Sequence, residues 1–238
     1  MKRPLLLLLF SSIFLSSLKA QPKVAIKWAP TGLLVGNISL LGEYSLGKRT
    51  SLTAKIGLPS QRSYTPTFDN NDANFSVKAT SFLAGYRLYM SHKSLKGFYF
   101  EPYFKYVHHT GEGTGNGTLN SQPVVMNFTS NYNGSGIGIQ TGVQFLIAKR
   151  VVIDFFFLGP EINSSEINFK TVEVTNTLPW TSAQANEAKQ DIQDFLNKIP
   201  VIGNKVTLTV DQNNRTIIAD YKGLLPGLRA GIAIGIAL

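Results

Sequence analysis

The sequence predicts an all-β protein: an eight-stranded antiparallel transmembrane β-barrel with a long, partly helical extracellular loop before the last strand. Three observations carry this. Several segments alternate residue by residue between an apolar set and a polar or small set. Short turns and long connections take turns along the chain. A secretory leader precedes them all.

The leader is read from residues 1–20. Lys2 and Arg3 form a basic start, and residues 5–15 are apolar except for Ser11 and Ser12. A small-residue end at Ser17-Leu18-Lys19-Ala20 places cleavage before Gln21, leaving 21–238 as one barrel domain. The apolar run is short for a membrane helix of ~20 residues. The absence of cysteine excludes a lipid-anchored start and any disulfide framework. No later window offers ~18 uninterrupted apolar residues, so a helical inner-membrane protein is not supported. The chain carries 23 basic and 14 acidic residues, a formal charge of +9; without Lys2, Arg3 and Lys19 the remainder is +6. Export turns that basic balance away from nucleic acid and toward lipid head groups or surface polysaccharide. The expected location is the outer membrane.

A strand sends successive side chains to opposite faces. Along 98–106 one face reads Phe98, Phe100, Pro102, Phe104, Tyr106 and the other Tyr99, Glu101, Tyr103, Lys105. The same pattern recurs in 24–29, 37–46, 51–58, 81–90, 137–147, 151–158 and 228–238, which makes eight strands. The turns at 47–50, 91–97 and 148–150 are short, and most of the other connections are long. With both chain ends on the periplasmic side, the short turns join strands two to three, four to five and six to seven, as a bacterial barrel requires.

Alternation alone does not say which face points inward, but volume does. Eight strands enclose a lumen only just filled by side chains, too narrow for this many Phe, Tyr, Leu and Ile. The apolar face therefore meets lipid. The inward charges are Lys27, Glu43, Lys55, Arg87, Glu101, Lys105, Asp154 and Arg229. Charge removed from water needs partners, so these predict an ion-pair ladder plugging the lumen, with the Gly and Ala of 228–238 making room for Lys and Arg stems. A narrow pore with a charged constriction is the alternative. Lys48, Arg49, Lys93, Lys96, Lys149 and Arg150 mark the three short turns and could contact anionic head groups. Trp28, Tyr44, Phe98 and Tyr106 fit interfacial girdles. Pro102 cannot donate to a ladder and predicts a bulge.

The connection 159–223 is the longest. It predicts a helix over 182–198, with Thr181 and Gln184 as a capping box, Pro200 as the stop, and Ala188, Ile192, Phe195 and Ile199 at helical spacing. A hairpin follows, 206–210 and 216–221 around Asn213-Asn214. This loop is either a self-packed cap or a platform for an extracellular or envelope protein partner. Glu187, Asp191 and Asp194 share a helix face; a solvated face is expected there rather than bound calcium.

Candidate chemistry is sparse. His108 and His109 lie at the outer end of 98–108 with Glu112 nearby, where an outer-membrane enzyme acting on lipid or peptide would carry its catalytic residues. No Ser-His-acid spacing or Asp pair accompanies them. The glycines at 111, 113, 115 and 117 read as a flexible loop, with no following helix to make a phosphate site. Three histidines and no cysteine give no zinc pattern, and neither metal nor cofactor is expected.

Leu40-Leu41-Gly42-Glu43-Tyr44 before a basic turn, Gly97-Phe98-Tyr99-Phe100-Glu101-Pro102-Tyr103, Leu158-Gly159-Pro160-Glu161, Ile199-Pro200-Val201-Ile202-Gly203 and Pro226-Gly227-Leu228-Arg229-Ala230-Gly231 resemble the small outer-membrane barrels of Bacteroidota, broadly OmpA/OmpX-like. The resemblance implies an eight-stranded barrel handled by the outer-membrane assembly machinery and brings no catalytic residues. Such barrels usually end in an aromatic residue; Leu238 is apolar only. The expected function is a non-enzymatic barrel, structural or surface-binding, with specificity in its outer loops.

Overall fold

The computed structural model describes residues 22–65, 67–68, 71–197 and 205–238. The leader at 1–20, the helix end at 198 and the 199–203 motif lie outside the described residues. Strands β1 (Val24–Ala29), β2 (Asn37–Ser45), β3 (Thr50–Pro59), β6 (Asn71–Tyr89), β7 (Gly97–Leu119), β8 (Gln122–Ile147), β9 (Val151–Glu173) and β11 (Thr216–Ala237) pair in that order. β11 then returns to β1 through Ala25↔Ala237 to Trp28↔Ile234, and the ring closes antiparallel throughout. Short strands β4 (Arg62–Tyr64) and β5 (Thr67–Phe68) add to β6, and β10 (Val206–Asp211) adds to β11.

The register fixes the dimensions. Trp28 pairs with Leu40, then the line runs through Ile56, Phe82, Tyr106, Ser135 and Ser164 to Leu224. Trp28's own partner on β11 is Ile234, so one circuit staggers the ladder by ten residues, 224 against 234. At ~3.3 Å per residue along a strand and ~4.8 Å between eight strands, that stagger tilts the strands by roughly 40° on a backbone radius of about 8 Å. A strand tilted so crosses a ~25 Å apolar band in about ten residues.

The outer surface shows such a band. Ile26, Ile38, Leu52, Phe82, Phe104, Ile139, Phe155 and Ile234 face outward and are exposed, and Leu228 reaches 71%. Its upper edge is sharp. The unbroken outward apolar rows end at Tyr106, Ile137, Ile162 and Leu224, and the next outward positions are His108, Ser135, Ser164 and Lys222. Tyr106 stands near the upper edge, Tyr44 and Phe98 near the lower; Trp28 lies lower on the wall than the girdle position expected for it. A soluble barrel would present the reverse polarity. This is a transmembrane barrel with its greasy face to lipid.

Above the band the ladder continues, and this corrects the sequence reading. Residues 109–119 and 122–136, expected as loop, pair with each other as β7 and β8 around a tight Asn120-Ser121 turn, both residues at positive φ. Residues 159–173 and 216–223 likewise belong to β9 and β11, so the 159–223 loop shrinks to 174–215. Outside the bilayer both faces are wet, so alternation fades while backbone pairing does not need it. The glycines at 111, 113, 115 and 117 are part of β7; a Cβ at Gly111 would lie 2.7 Å from the Phe75 ring, so glycine seats that ring against the sheet.

Two further expectations change. Pro102 makes no bulge: the β6–β7 ladder skips the pairs opposite Glu101 and Pro102 but keeps its register. The extra residue sits in β9 at Leu158, at φ 49°, where the register shifts against both β8 and β11. The glycines of β11 do not seat Lys or Arg stems; Gly231 makes room for Phe156 and Gly235 for the β1 backbone.

Helix α1 (Ser182–Asn197) caps the projecting sheet. Thr181 N–H donates to Gln184 Oε1 (3.0 Å) and Gln184 N–H to Thr181 Oγ1 (3.3 Å), the expected capping box. Ala185, Ala188 and Ile192 pack with Trp180, Leu119, Val124, Ile217 and Leu208 as a core of its own. Glu187 docks the helix on the β7–β8 tip by accepting from Asn120 N–H (3.0 Å).

Lysine tests the band. At Ile56 it should destabilise the folded barrel by ~2–4 kcal/mol, and at Asn131, above the edge, by ~1 kcal/mol or less. Urea unfolding in lipid vesicles measures both; equal costs would move the band.

Candidate functional site

The lumen concentrates the charged residues, in two layers. Five of the predicted eight meet in the lower one. Lys27, from β1, donates to Glu43 Oε2 (2.7 Å), Asp154 Oδ2 (2.8 Å) and Gln144 Oε1 (2.8 Å). Arg87, from β6, reaches across to Glu101 Oε2 (2.7 Å), Asp154 Oδ2 (2.7 Å), Gln144 Oε1 (2.8 Å) and Glu43 Oε2 (3.2 Å). Its guanidinium lies 4.0 Å from the Tyr99 ring centre, and Tyr99 donates to Asp154 Oδ1 (2.7 Å). Ser51 (2.6 Å) and Tyr89 (2.5 Å) donate to the other Glu43 oxygen, while Thr53 and Gln140 (2.6 Å) serve Glu101. Arg87 is 1% exposed despite its length. This layer occludes the barrel with satisfied ions.

Leu95 closes the end of the lumen that carries the short turns. It is fully buried, held at φ 63° in the β6–β7 turn, and its carbonyl accepts from Gln144 Nε2 (3.0 Å). Lys48, Arg49, Lys93, Lys96, Lys149 and Arg150 lie exposed in the three turns at this same end. Arg49 hydrogen-bonds His92, tying two of the turns together.

The other three predicted residues, Lys55, Lys105 and Arg229, form a separate upper layer. Lys105 pairs with Glu161, which the sequence reading missed. Arg229 donates to Gln140 Oε1 (2.6 Å) and stacks over Phe156 (4.6 Å) and Tyr103 (5.4 Å); it makes no ion pair among the described residues. Neither does Lys55, which corrects the expected single ladder.

The missed residues fall in two groups. Tyr99 shares parity with Glu101 and Lys105, and Gln140 and Gln144 lie opposite the apolar face of Ile139, Val143 and Phe145, so all three were legible on that ground. Glu161 was not. Val151, Ile153, Phe155 and Phe157 face outward, so odd positions of β9 read as lipid-facing until Leu158 inserts one residue and turns Glu161 inward.

His108 and His109 face opposite sides of β7. His108 Nδ1 meets Asn133 Oδ1 (2.7 Å) on the outer surface; His109 points inward against Tyr132, ring centres 5.8 Å apart. The two do not converge on one substrate, and Glu112 shares the outer face with His108 alone. In the head, buried Glu173 accepts from Trp180 Nε1 (3.2 Å) and from the Thr175 (2.9 Å) and Asn176 (2.8 Å) amides, beside Arg215 at 3.0 Å. That cluster anchors the strand-to-helix connection. Partial burial beside Glu187 and Asp194 holds the Asp191 carboxyl above its ordinary pKa.

No family model matches the chain, and no curated protein matches it. Similar solved structures include two CarO proteins. The crystal structure of Acinetobacter baumannii CarO is 11% identical, with 92% of this chain and 100% of that one covered and a TM-score of 0.42. That of A. baumannii CarO2 is 10% identical, with 91% and 98% covered and a TM-score of 0.47. The barrel assignment rests on the closed ring of this chain rather than on either likeness.

Replacing Arg87 by Met leaves Glu101 without a cation and Asp154 and Glu43 with Lys27 alone among the described residues. It should cost about 3–5 kcal/mol in urea unfolding, and Glu101→Gln added to it should recover part of that loss. A neutral Arg87→Met would mean that the plug does not hold the barrel.

Proposed function

We propose that the chain is a non-enzymatic outer-membrane barrel, exported by the leader at 1–20, that is closed to diffusive transport and presents a binding surface on its outer head to an extracellular or envelope protein. The observation that carries this is the division of the molecule: a lumen filled by an ion network, and above it a sheet and helix with a separate apolar core. A barrel serving only as a wall has no need for strands running a dozen residues past the bilayer. A pore is disfavoured because Arg87 and Lys27 cross the lumen and are bonded on both sides. An enzyme at the rim is disfavoured by the divergence of His108 and His109.

The six turn cations suit contact with the inner-leaflet head groups of the outer membrane. The outward apolar row of β11, with Leu228, Ile234 and Ile236, suits recognition by the outer-membrane assembly machinery. The motif resemblance to Bacteroidota barrels of OmpA/OmpX type supports the same reading.

The chain has no cysteine, so one introduced thiol reports its own side. Asn213→Cys, at the tip of the β10–β11 hairpin, should react with an impermeant maleimide on intact cells, and Lys48→Cys only after the outer membrane is opened. Reversed labelling would put the head in the periplasm and end the surface-binding reading.

Purified barrel should also give silent planar bilayers; steady conductance from verified inserted protein would restore the pore.

A further inference from the structure

The upper lumen layer is unbalanced. Lys55, Lys105 and Arg229 line one cavity of about 260 Å³ on the outer side of the plug, and Glu161 is the carboxylate among its lining residues. Glu161 is fully engaged: one oxygen accepts from Lys105 and Asn163 Nδ2 (3.3 Å), the other from Tyr103 OH (2.8 Å). Lys55 makes no hydrogen bond or ion pair among the described residues. Arg229 gives one N–H to Gln140, which passes its own amide to Glu101 in the plug. The Ser81 hydroxyl lines the cavity too, buried and without a hydrogen-bond partner among the described residues.

Clustered cations in a narrow, low-dielectric lumen repel one another unless an anion joins them. The plug below does not release one, because its three carboxylates are bonded to Lys27, Arg87 and their neighbours. We propose that this vestibule binds a small oxyanion, a phosphate-like or carboxylate group, between Lys55 and Arg229 with Ser81 as a neutral donor. The residues suit that chemistry. Arg229 offers a planar fork that matches two oxygens, and Lys55 a mobile point charge opposite. The cavity is small against the ~300–1,000 Å³ of ordinary ligand pockets, which limits the guest to a few heavy atoms. The 3₁₀ turn Pro30–Val35 forms part of its wall through Thr31 and Gly32. The site depends on the barrel geometry alone and not on what the head binds.

Inorganic phosphate is the probe. Radiolabelled phosphate should bind the detergent-folded barrel saturably at one equivalent in low salt. Lys55→Gln and Arg229→Gln should each weaken it about tenfold or more, since each removes one charge-assisted contact. Glu161→Gln should tighten binding by freeing Lys105, and Lys48→Gln, which removes an equal charge from a turn, should leave it unchanged. Heat-dependent gel migration checks that each variant is folded. Where Lys55→Gln does not fold, the charge-retaining Lys55→Arg should keep binding and Glu161→Gln still reads the site. Absence of saturable binding, or losses no larger for Lys55→Gln and Arg229→Gln than for Lys48→Gln, would overturn the proposal.

Discussion

Arg87 is the interaction on which the barrel depends. A radius of about 8 Å leaves a lumen that side chains must fill, and a filled lumen lined by carboxylates needs a cation at its centre. Arginine suits that position because its fork donates in several directions at once and stays charged. Here it faces Glu101, Asp154 and Glu43 from three different strands, with Tyr99 beneath its plane. Lysine at 87 would supply one charge and lose the planar stack. The network is therefore a cross-brace: each carboxylate belongs to a separate wall strand, Glu43 and Asp154 are held to both Lys27 and Arg87, and Glu101 is held to Arg87.

Much of this is legible in the sequence, for a physical reason. A membrane imposes apolar side chains on one face and a narrow lumen imposes charge or small size on the other, so alternation inside the band is strong. The lower halves of all eight ring strands were readable, and with them Lys27, Glu43, Arg87, Glu101 and Asp154. What alternation does not encode stayed hidden. Above Tyr106 and Ile137 both faces are wet, and Thr, Asn, Ser and Gly read as loop although they pair as strand. The bulge at Leu158 leaves no mark in composition, and it displaced Glu161 from the expected lumen set. Leu95 reads as an ordinary turn residue because only its positive φ and the Gln144 contact turn it inward.

The same boundary divides the molecule. Below the upper edge the bilayer pays for burial of the wall, so the interior is free to be polar. Above it lipid no longer covers the wall, and the chain builds a conventional core instead. Trp180, Ala185, Ala188 and Ile217 bury one another, and the helix carries its acidic side, with Asp191, toward water. The two regions obey opposite rules of polarity, inside charged and outside apolar in one, the reverse in the other. Continuous strands join them, so the head is held by a stiff sheet rather than by a tether.

The Leu158 bulge links that architecture to the vestibule. Without the extra residue Glu161 would face lipid, and Lys105 would join Lys55 and Arg229 as a third cation lacking a carboxylate. With it, Lys105 is neutralised and Tyr103 is fixed by its hydroxyl, while Lys55 and Arg229 line the same cavity without a carboxylate partner among the described residues. A further acidic residue placed higher in β9 would have halved the layer's excess charge; instead Ser164 and Ser165 follow, and the neighbouring amide of Asn163 is drawn toward Glu161. The plug is over-supplied with acceptors and the vestibule with donors. Gln140 relays between them but carries no charge, so the remaining positive potential points outward, toward the side from which an anion would arrive.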